Sequence, residues 1–253
     1  MMMTKRFRRQ QRLLELLAAG DVWSVPALSK ALDVSDETIR REIRALEPGG
    51  QVMRAHGTVR LARVETEGSF AVRLQRNADA KRRIGCAVAP LVADGQTIYI
   101  DASTTGHYVA QALRDHRDLT VVTNAVGVAT ELGGRNGNRV LLAGGEMDYD
   151  YRACFDQTAT DFLSLSTPSL AIISVEAVNL DHGFTSYHAG EARVCRLMVS
   201  RARSVLIAVD ASKFGRYGTL SVADFQSVDL VVADCPPPDG YDAVLTRTEW
   251  VTA

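Results

Sequence analysis

Four polar loops in the second half of the chain carry side chains suited to binding an anion. The first runs into a predicted helix from about His107 to Leu113, so its hydroxyls and free N–H groups would meet at a positive helix end. Any one loop could equally be only a cap or a turn, but four at one sheet edge favour a site for a phosphate or carboxylate. The predicted binding residues are Asp101, Ser103, Thr104, Thr105, Thr123, Asn124, Gly144, Gly145 and Lys213.

These loops should meet because each of them follows a short apolar strand. Continuous apolar strands that alternate with helical segments predict an α/β domain with a mostly parallel sheet covered on both faces. Ligands of such sheets lie beyond the carboxyl ends of the strands. A helix from Asp79 to Ala93 should precede the first strand. The predicted strands are 97–100, 119–122, 139–143, 170–175, 204–209 and 229–233.

A second constellation, near the amino terminus, places basic side chains on a predicted helix. Ser35 is positioned as the N-cap of a helix from Asp36 to about Glu47. Within it, Ile39, Ile43 and Leu46 form an apolar stripe at helical spacing, so the arginines face elsewhere and could reach phosphates and guanine edges in a major groove. The predicted DNA contacts here are Ser35, Thr38, Arg40, Arg41 and Arg44.

Two more helices and a hairpin complete a predicted winged helix-turn-helix. The first helix should run from about Lys5 to Ala19, and Ser24 should cap the second. Segments 51–54 and 58–61 should pair around a turn at 56–57, which forms the wing. A three-helix protein-interaction module is the alternative, but the short turn, the capped helix and the basic hairpin together favour DNA binding. The predicted wing contacts are Arg54 and His56.

Composition also divides the chain. Residues 1–63 hold 12 Lys and Arg against 7 Asp and Glu, whereas the rest hold 17 against 23. A basic small domain on an acidic larger one fits nucleic-acid contact through the first part only. Four scattered cysteines suit a reducing compartment, and no run of about 20 apolar residues predicts a membrane span, so we expect a cytoplasmic protein.

The segment 28–58, LSKALDVSDETIRREIRALEPGGQVMRAHGT, resembles the helix-turn-helix of DeoR-type bacterial regulators. Their signature is V-S-x-x-T-I-R-R-D-L, followed by a Gly and then R-x-H-G-G. Glu42 and Ile43 stand in place of Asp and Leu, and Thr58 replaces the second wing glycine. The matching residues are Val34, Ser35, Thr38, Ile39, Arg40, Arg41, Leu46, Gly50, Arg54, His56 and Gly57.

The second half resembles the sensor domain of the same family, which is similar in fold to ribose-5-phosphate isomerase and binds phosphorylated sugars or related intermediates. Ser103 replaces a glycine of the usual D-x-G-T-T loop, and Cys195 stands where a Lys is expected. The resemblance rests on VVTN, on DASKFG, and on an F-x-x-R-x-x-x-N-x-x-x-K pattern at Phe70, Arg73, Asn77 and Lys81.

The resemblance implies a DNA-binding domain at 1–62, a linker at 63–78 and an effector-sensing α/β domain at 79–253. It implies a repressor of a carbohydrate-metabolism operon, controlled by a phosphorylated sugar. A homo-oligomer would place two recognition helices on double-stranded operator DNA, at half-sites about 10 bp apart or a multiple of that. No enzymatic activity, cofactor or metal is expected.

Two other functions use residues of the same domain. Asp101, Glu146 or Glu176 could serve as the general base of a sugar-phosphate isomerase, although no isomerase motif surrounds them. A metal-sensor hypothesis would use His182, His188 and Glu191, but their spacing is a weak metal signature and no cysteine is close in sequence.

Overall fold

The computed structural model divides the chain into two compact units, residues 1–66 and 67–253. In the part that it describes, no helix is long and apolar enough to cross a membrane. For residues 53–55, 60 and 61 the description covers the backbone only. The described residues are 9–10, 12–14, 16–17, 23–46, 52–55, 58–61 and 69–253.

The first unit is a winged helix-turn-helix. Residues 9–10, 12–14 and 16–17 are helical. The elements are β1 Trp23–Ser24, α1 Val25–Leu32, α2 Asp36–Leu46, β2 Val52–Ala55 and β3 Thr58–Leu61. Strand β3 pairs antiparallel with both β1 and β2, and Ala55 opposes Thr58 in the wing hairpin.

Local signals in the sequence set these elements. The Ser24 hydroxyl caps α1 by accepting from Ala27 N at 3.2 Å, as predicted. Asp33 then adopts a left-handed conformation with φ 51°, which lets the chain turn sharply before α2. The predicted apolar stripe of α2 is confirmed in the core, whose buried members are Leu13, Leu17, Val25, Leu28, Ile39, Ile43, Leu46, Val52 and Val59.

Glu42 is a buried carboxylate on α2 that fixes this helix to the amino-terminal helical segment. It accepts from Arg9 Nε at 3.1 Å and from Gln10 Nε2 at 2.8 Å. Replacing Glu42 with alanine should lower the free energy of unfolding of this unit by about 2–3 kcal/mol, because the partners lose their acceptor in a mostly buried setting. Urea denaturation measures the change. Glu37→Ala, at an exposed ion pair, is the control and should change stability by less than about 1 kcal/mol.

The second unit is built on a seven-stranded parallel sheet; the sequence predicts the parallel class and six of these strands, but not the one at 249–252. The strands are β4 Thr97–Ile100, β5 Thr120–Thr123, β6 Arg139–Leu142, β9 Leu170–Ile173, β12 Ser204–Val209, β14 Leu230–Ala233 and β15 Glu249–Thr252. Their order in the sheet is β15-β14-β12-β9-β4-β5-β6. The helices are α3 Phe70–Gln75, α4 Ala78–Val88, α5 Thr104–Ala112, α6 Val126–Leu132, α7 Gln157–Ser164 and α8 Ala189–Arg201.

Two small antiparallel sheets were not predicted from the sequence. One lies in the chain after the edge strand β6, and the other is formed by segments that follow β9 and β12. Hairpin strands this short have too few residues to show an alternating pattern. They are the pair β7 Met147–Asp148 and β8 Ala153–Cys154, and the sheet β10 Ala177–Asn179, β11 Gly183–Ser186 and β13 Leu220–Ala223.

The structure corrects the predicted linker at 63–78. Residues 70–75 form helix α3 of the second unit, where Phe70 is buried and donates its N–H to Asp150 O at 2.7 Å. A six-residue helix is too short to show a 3.6-residue period, and tertiary contacts stabilise it. The helix predicted at 79–93 ends at Val88, and a 3-10 turn that contains Pro90 follows it.

Helices α4 and α5 pack closely at Gly85. A Cβ atom at this position would lie 2.7 Å from the carbonyl oxygen of Tyr108. Gly85→Ala should therefore force the helices apart and lower the free energy of unfolding by about 1–3 kcal/mol. Thermal unfolding of the full chain tests this, with exposed Cys86→Ala on the same helix as the control. An unchanged melting temperature in Gly85→Ala would contradict the close packing.

Candidate functional site

The first candidate site is the exposed face of α2. Arg40, Arg41 and Arg44 are exposed on it, opposite the buried stripe, and Arg44 Nη2 is 3.4 Å from Glu37 Oε1. The Ser35 hydroxyl accepts from Thr38 N at 3.3 Å, which confirms Ser35 as the cap. Its Oγ also lies 2.9 Å from Thr38 Oγ1.

At Arg54 in the wing, the structure describes only the backbone. Arg54 lies in β2, directly opposite Val59 of β3. Nothing is described of its side chain, and His56 lies outside the described residues. Their contact with DNA therefore stays a prediction.

The second candidate site is a small polar cavity in the second unit, with a free volume of about 20 Å³. It lies among the loops that follow β4, β9 and β12, which are neighbours at the centre of the sheet. This is the position expected for a ligand of a parallel sheet. The lining residues are Arg73, Lys81, Ser103, Thr104, Thr105, Ser174, Val175, Glu176, Glu191 and Lys213.

The loop after β4 presents the amino end of α5 to this cavity. Helix α5 starts at Thr104, earlier than predicted, because Ser103 is its N-cap and accepts from Gly106 N at 2.8 Å. Thr104 and Thr105 occupy the first turn, where backbone N–H groups lack intrahelical acceptors. Ser174 Oγ donates to Thr105 Oγ1 at 3.4 Å. The cavity thus combines hydroxyls with the positive end of a helix dipole.

Asp101 supports this loop from behind and does not line the cavity. It is 1% exposed and accepts from Ser103 Oγ at 2.7 Å and from Ser174 N at 3.0 Å. Burial raises the pKa of Asp101 to about 6, against the hydrogen bonds from Ser103 and Ser174, which lower it. Asp101 therefore joins the loops after β4 and β9.

Three cations line the cavity: Arg73, Lys81 and Lys213. Arg73 lies 4.1 Å above the Tyr151 ring and donates from Nη2 to Asp150 O at 3.0 Å. Among the described residues its buried Nε has no hydrogen-bond partner. Lys81 Nζ donates to Arg73 O at 2.7 Å, which fixes the end of α3 to α4. An anion in the cavity could accept from the Arg73 Nε.

Two carboxyl groups form another part of the lining. Ser186 Oγ lies 2.7 Å from Glu176 Oε2 and 2.9 Å from Glu191 Oε2. Burial, together with the charges of Glu176 and Asp101, raises the pKa of Glu191 well above its ordinary value. Glu191 therefore tends to keep its proton.

Besides Asp101, four more of the predicted binding residues do not line this cavity. Thr123 and Asn124 are fully buried: Thr123 Oγ1 accepts from Ala125 N at 3.0 Å and Asn124 Nδ2 donates to Cys154 O at 2.9 Å. A Cβ on Gly145, where φ is 134°, would collide with the Asp156 carboxylate, while a Cβ on Gly144 would meet open space. Thr123 is the last residue of β5 and Asn124 follows it, while both glycines follow the edge strand β6, so all four lie to one side of the loops after β4, β9 and β12.

Sequence reasoning missed part of the lining. Arg73 and Lys81 belong to the pattern that supported the family resemblance, and this was a signal that both positions are functional. The sequence suggested Glu176 only as a possible general base and Glu191 only as a possible metal ligand. Ser174 carried no signal, because it lies within the apolar strand predicted at 170–175.

The residues of the metal-sensor hypothesis make contacts with other side chains and with the backbone. His188 Nδ1 accepts from Glu191 N at 3.1 Å and its ring stacks on Tyr151, while His182 packs on Tyr217. Within the described residues, no three His, Cys, Asp or Glu side chains are grouped to hold a metal ion.

The raised pKa of Asp101 predicts a pH effect on stability. A carboxyl that holds its proton more tightly in the folded state stabilises the fold below its unfolded pKa, and this contribution is lost as pH rises to about 6. The stability of Asp101→Asn relative to wild type should therefore rise with pH, by roughly 3 kcal/mol between pH 3.8 and about 6. Urea unfolding across this range measures it; exposed Asp115→Asn is the control. A pH-independent difference would contradict the prediction.

Two family descriptions match this chain. The DeoR-like helix-turn-helix domain matches residues 9–64, and the DeoR C terminal sensor domain matches residues 76–235. The second match alone covers more than half of the chain.

Curated relatives match over nearly the whole length. The glycerol-3-phosphate regulon repressor of Escherichia coli is 31% identical over 242 residues, 96% of each chain. The HTH-type transcriptional regulator GlpR of Haloferax volcanii is 33% identical over 227 residues, 89% of each chain. The HTH-type transcriptional repressor GlcR of Bacillus subtilis is 29% identical and covers 93% of this chain and 91% of its own.

Among solved structures, ribose 5-phosphate isomerase from Plasmodium falciparum matches with a TM-score of 0.40 and 15% identity. The match covers 55% of this chain and 54% of the isomerase.

Proposed function

The chain belongs to the DeoR family of DNA-binding transcriptional regulators, and from that premise we propose that its second unit binds a small phosphorylated metabolite that controls operator binding by the first. The observation that carries the proposal is the cavity at the amino end of α5. There Arg73, Lys81 and Lys213 surround hydroxyls and free N–H groups, and the buried Arg73 Nε lacks a partner among the described residues. A phosphate group would accept from all of these donors.

The cavity is small. Its free volume of about 20 Å³ holds little more than one water molecule, so the loops that line it must move apart to admit a ligand. Three relatives are named for the glycerol-3-phosphate regulon, which agrees with a small phosphorylated metabolite. We propose a sugar phosphate or polyol phosphate as the effector.

On the DNA side, the arginines of α2 read the operator. The exposed Arg40, Arg41 and Arg44 project from a helix whose opposite face is buried, which is the arrangement of a recognition helix. We propose that the protein acts in the cytoplasm as a homo-oligomer that binds paired half-sites about 10 bp apart or a multiple of that. A footprint with one unrepeated half-site would count against the oligomer.

The regulatory step requires differential binding. Effector in the cavity must bind one arrangement of the protein more tightly than another, and the two must differ in DNA affinity. We propose repression that the effector relieves. The second unit then senses its ligand without turning it over, as the regulatory relatives suggest.

Fluorescence anisotropy tests the proposal directly. The full chain is titrated on DNA from upstream of its own and neighbouring genes, at two salt concentrations, with and without a panel of sugar and polyol phosphates. Sequence-selective, salt-sensitive binding that one compound weakens supports the whole proposal. Absence of selective binding, with turnover of a panel compound, would support the isomerase-like alternative instead.

A further inference from the structure

The carboxyl pair Glu176 and Glu191 has no role in holding a phosphate, yet both side chains line the cavity. They are 3% and 4% exposed, and buried carboxyl groups are costly unless they are partnered. A cavity built only for an anion would exclude them, because they repel it. Their presence indicates that the ligand carries a second feature that a carboxyl group can recognise.

The pair is held rigidly. Glu176 Oε2 accepts from Ser186 Oγ at 2.7 Å, from Tyr187 N at 2.5 Å and from His188 N at 3.3 Å, while its Oε1 accepts from the Tyr151 hydroxyl at 3.5 Å. Glu191 Oε2 is 2.9 Å from the same Ser186 Oγ. Because a carboxylate has about four lone-pair positions, these donors fill Glu176, whereas Glu191 keeps acceptor capacity. A rigid acceptor of this kind discriminates between ligands by geometry.

Hydroxyl groups fit this pair better than an ammonium group does. An ammonium would share a small cavity with the positive charges of Arg73, Lys81 and Lys213. The pKa of Glu191 is also raised well above its ordinary value by burial and by Glu176 and Asp101, so the pair does not offer two full negative charges. A hydroxyl can donate to one carboxyl oxygen and accept from a protonated carboxyl.

We propose that Glu191, held against Ser186 beside Glu176, is a specificity-determining residue that hydrogen-bonds a hydroxyl group on the carbon chain next to the effector's phosphate. This inference rests on the proposed function, since it requires the phosphate to occupy the cation-lined part of the cavity. It assigns the effector to phosphate esters with adjacent hydroxyls, and it excludes simple alkyl phosphates and amino-alkyl phosphates.

The first test compares ligands on the unmodified full chain by isothermal titration calorimetry. The probes are inorganic phosphate, n-propyl phosphate, phosphoethanolamine, glycerol 3-phosphate and a set of pentose and hexose phosphates. At least one hydroxylated ester should bind about 10- to 100-fold more tightly than n-propyl phosphate, as expected for hydrogen bonds to buried carboxyl groups. Equal affinity for n-propyl phosphate, or tightest binding of phosphoethanolamine, would overturn the inference.

The second test uses Glu191→Gln with the exposed Glu249→Gln as its matched control. Glu191→Gln should reduce the preference for the hydroxylated ester about tenfold, while the affinity for inorganic phosphate stays within about threefold of wild type. Loss of affinity for both ligands to the same extent would indicate a purely structural role and overturn the inference. If the variant fails to fold, the comparison of phosphate esters on the wild-type chain still tests the inference.

The two proposals fail differently. If phosphate and its esters bind but hydroxyls add no affinity, the selectivity inference is wrong and the proposed effector site stands. If no phosphorylated probe binds, the proposed effector site fails and the inference fails with it.

Discussion

Replacing Arg40, Arg41 or Arg44 with alanine should each weaken operator binding by ~1–3 kcal/mol where the lost contact reads a base. The three side chains are exposed on α2, and the folded core lies on the other side of that helix. Their removal should therefore leave the fold intact. Combined replacement should bring specific binding close to the non-specific level, because the recognition helix would keep no guanidinium group.

The salt dependence of operator binding distinguishes arginines that contact a base from arginines that contact a phosphate. A base-reading arginine should lose discrimination at one operator position, whereas a phosphate-contacting arginine should weaken binding to all sequences and flatten the salt slope. Anisotropy titrations at several salt concentrations measure both effects. Exposed Arg247→Ala in the second unit is the matched control. Normal binding by all three single variants would show that α2 is not the recognition helix.

The second large effect is expected from Lys213→Met. Lys213 is 8% exposed and lines the cavity from the turn after β12. Loss of its charge should weaken binding of the effector found in the panel by about 10- to 100-fold, since a charge-assisted hydrogen bond to phosphate is lost. DNA affinity without effector should stay unchanged. The variant would then remain bound to the operator at effector concentrations that release the wild type.

Calorimetry and anisotropy measure these two properties separately. Arg203→Met, an exposed cation of the same unit, is the control and should respond to effector normally. An unaltered effector affinity in Lys213→Met would show that the phosphate does not bind next to Lys213. Reduced DNA affinity without effector would instead show that Lys213 supports the structure that binds DNA.

The sequence by itself determined the features that depend on nearby residues. The capped helix α2 and its buried stripe follow from Ser35 and from apolar spacing, because a helix cap and a helical face involve residues a few positions apart. Strands 97–100 and 204–209 were predicted with the observed bounds, since each is a short apolar run between polar segments. The parallel α/β class follows from the alternation of such strands with helices.

Only the tertiary structure decided which loops meet. The strand order places β12, β9 and β4 side by side, so Lys213, Ser174 and Ser103 converge while Thr123 does not. No local pattern encodes that order, because neighbouring strands are far apart in the sequence. For the same reason Glu42 could not be paired with Arg9, nor Ser186 with Glu176, before the fold brought them together. Contacts within one turn of chain can be predicted from residue types, whereas contacts between distant segments depend on the packing of the whole unit.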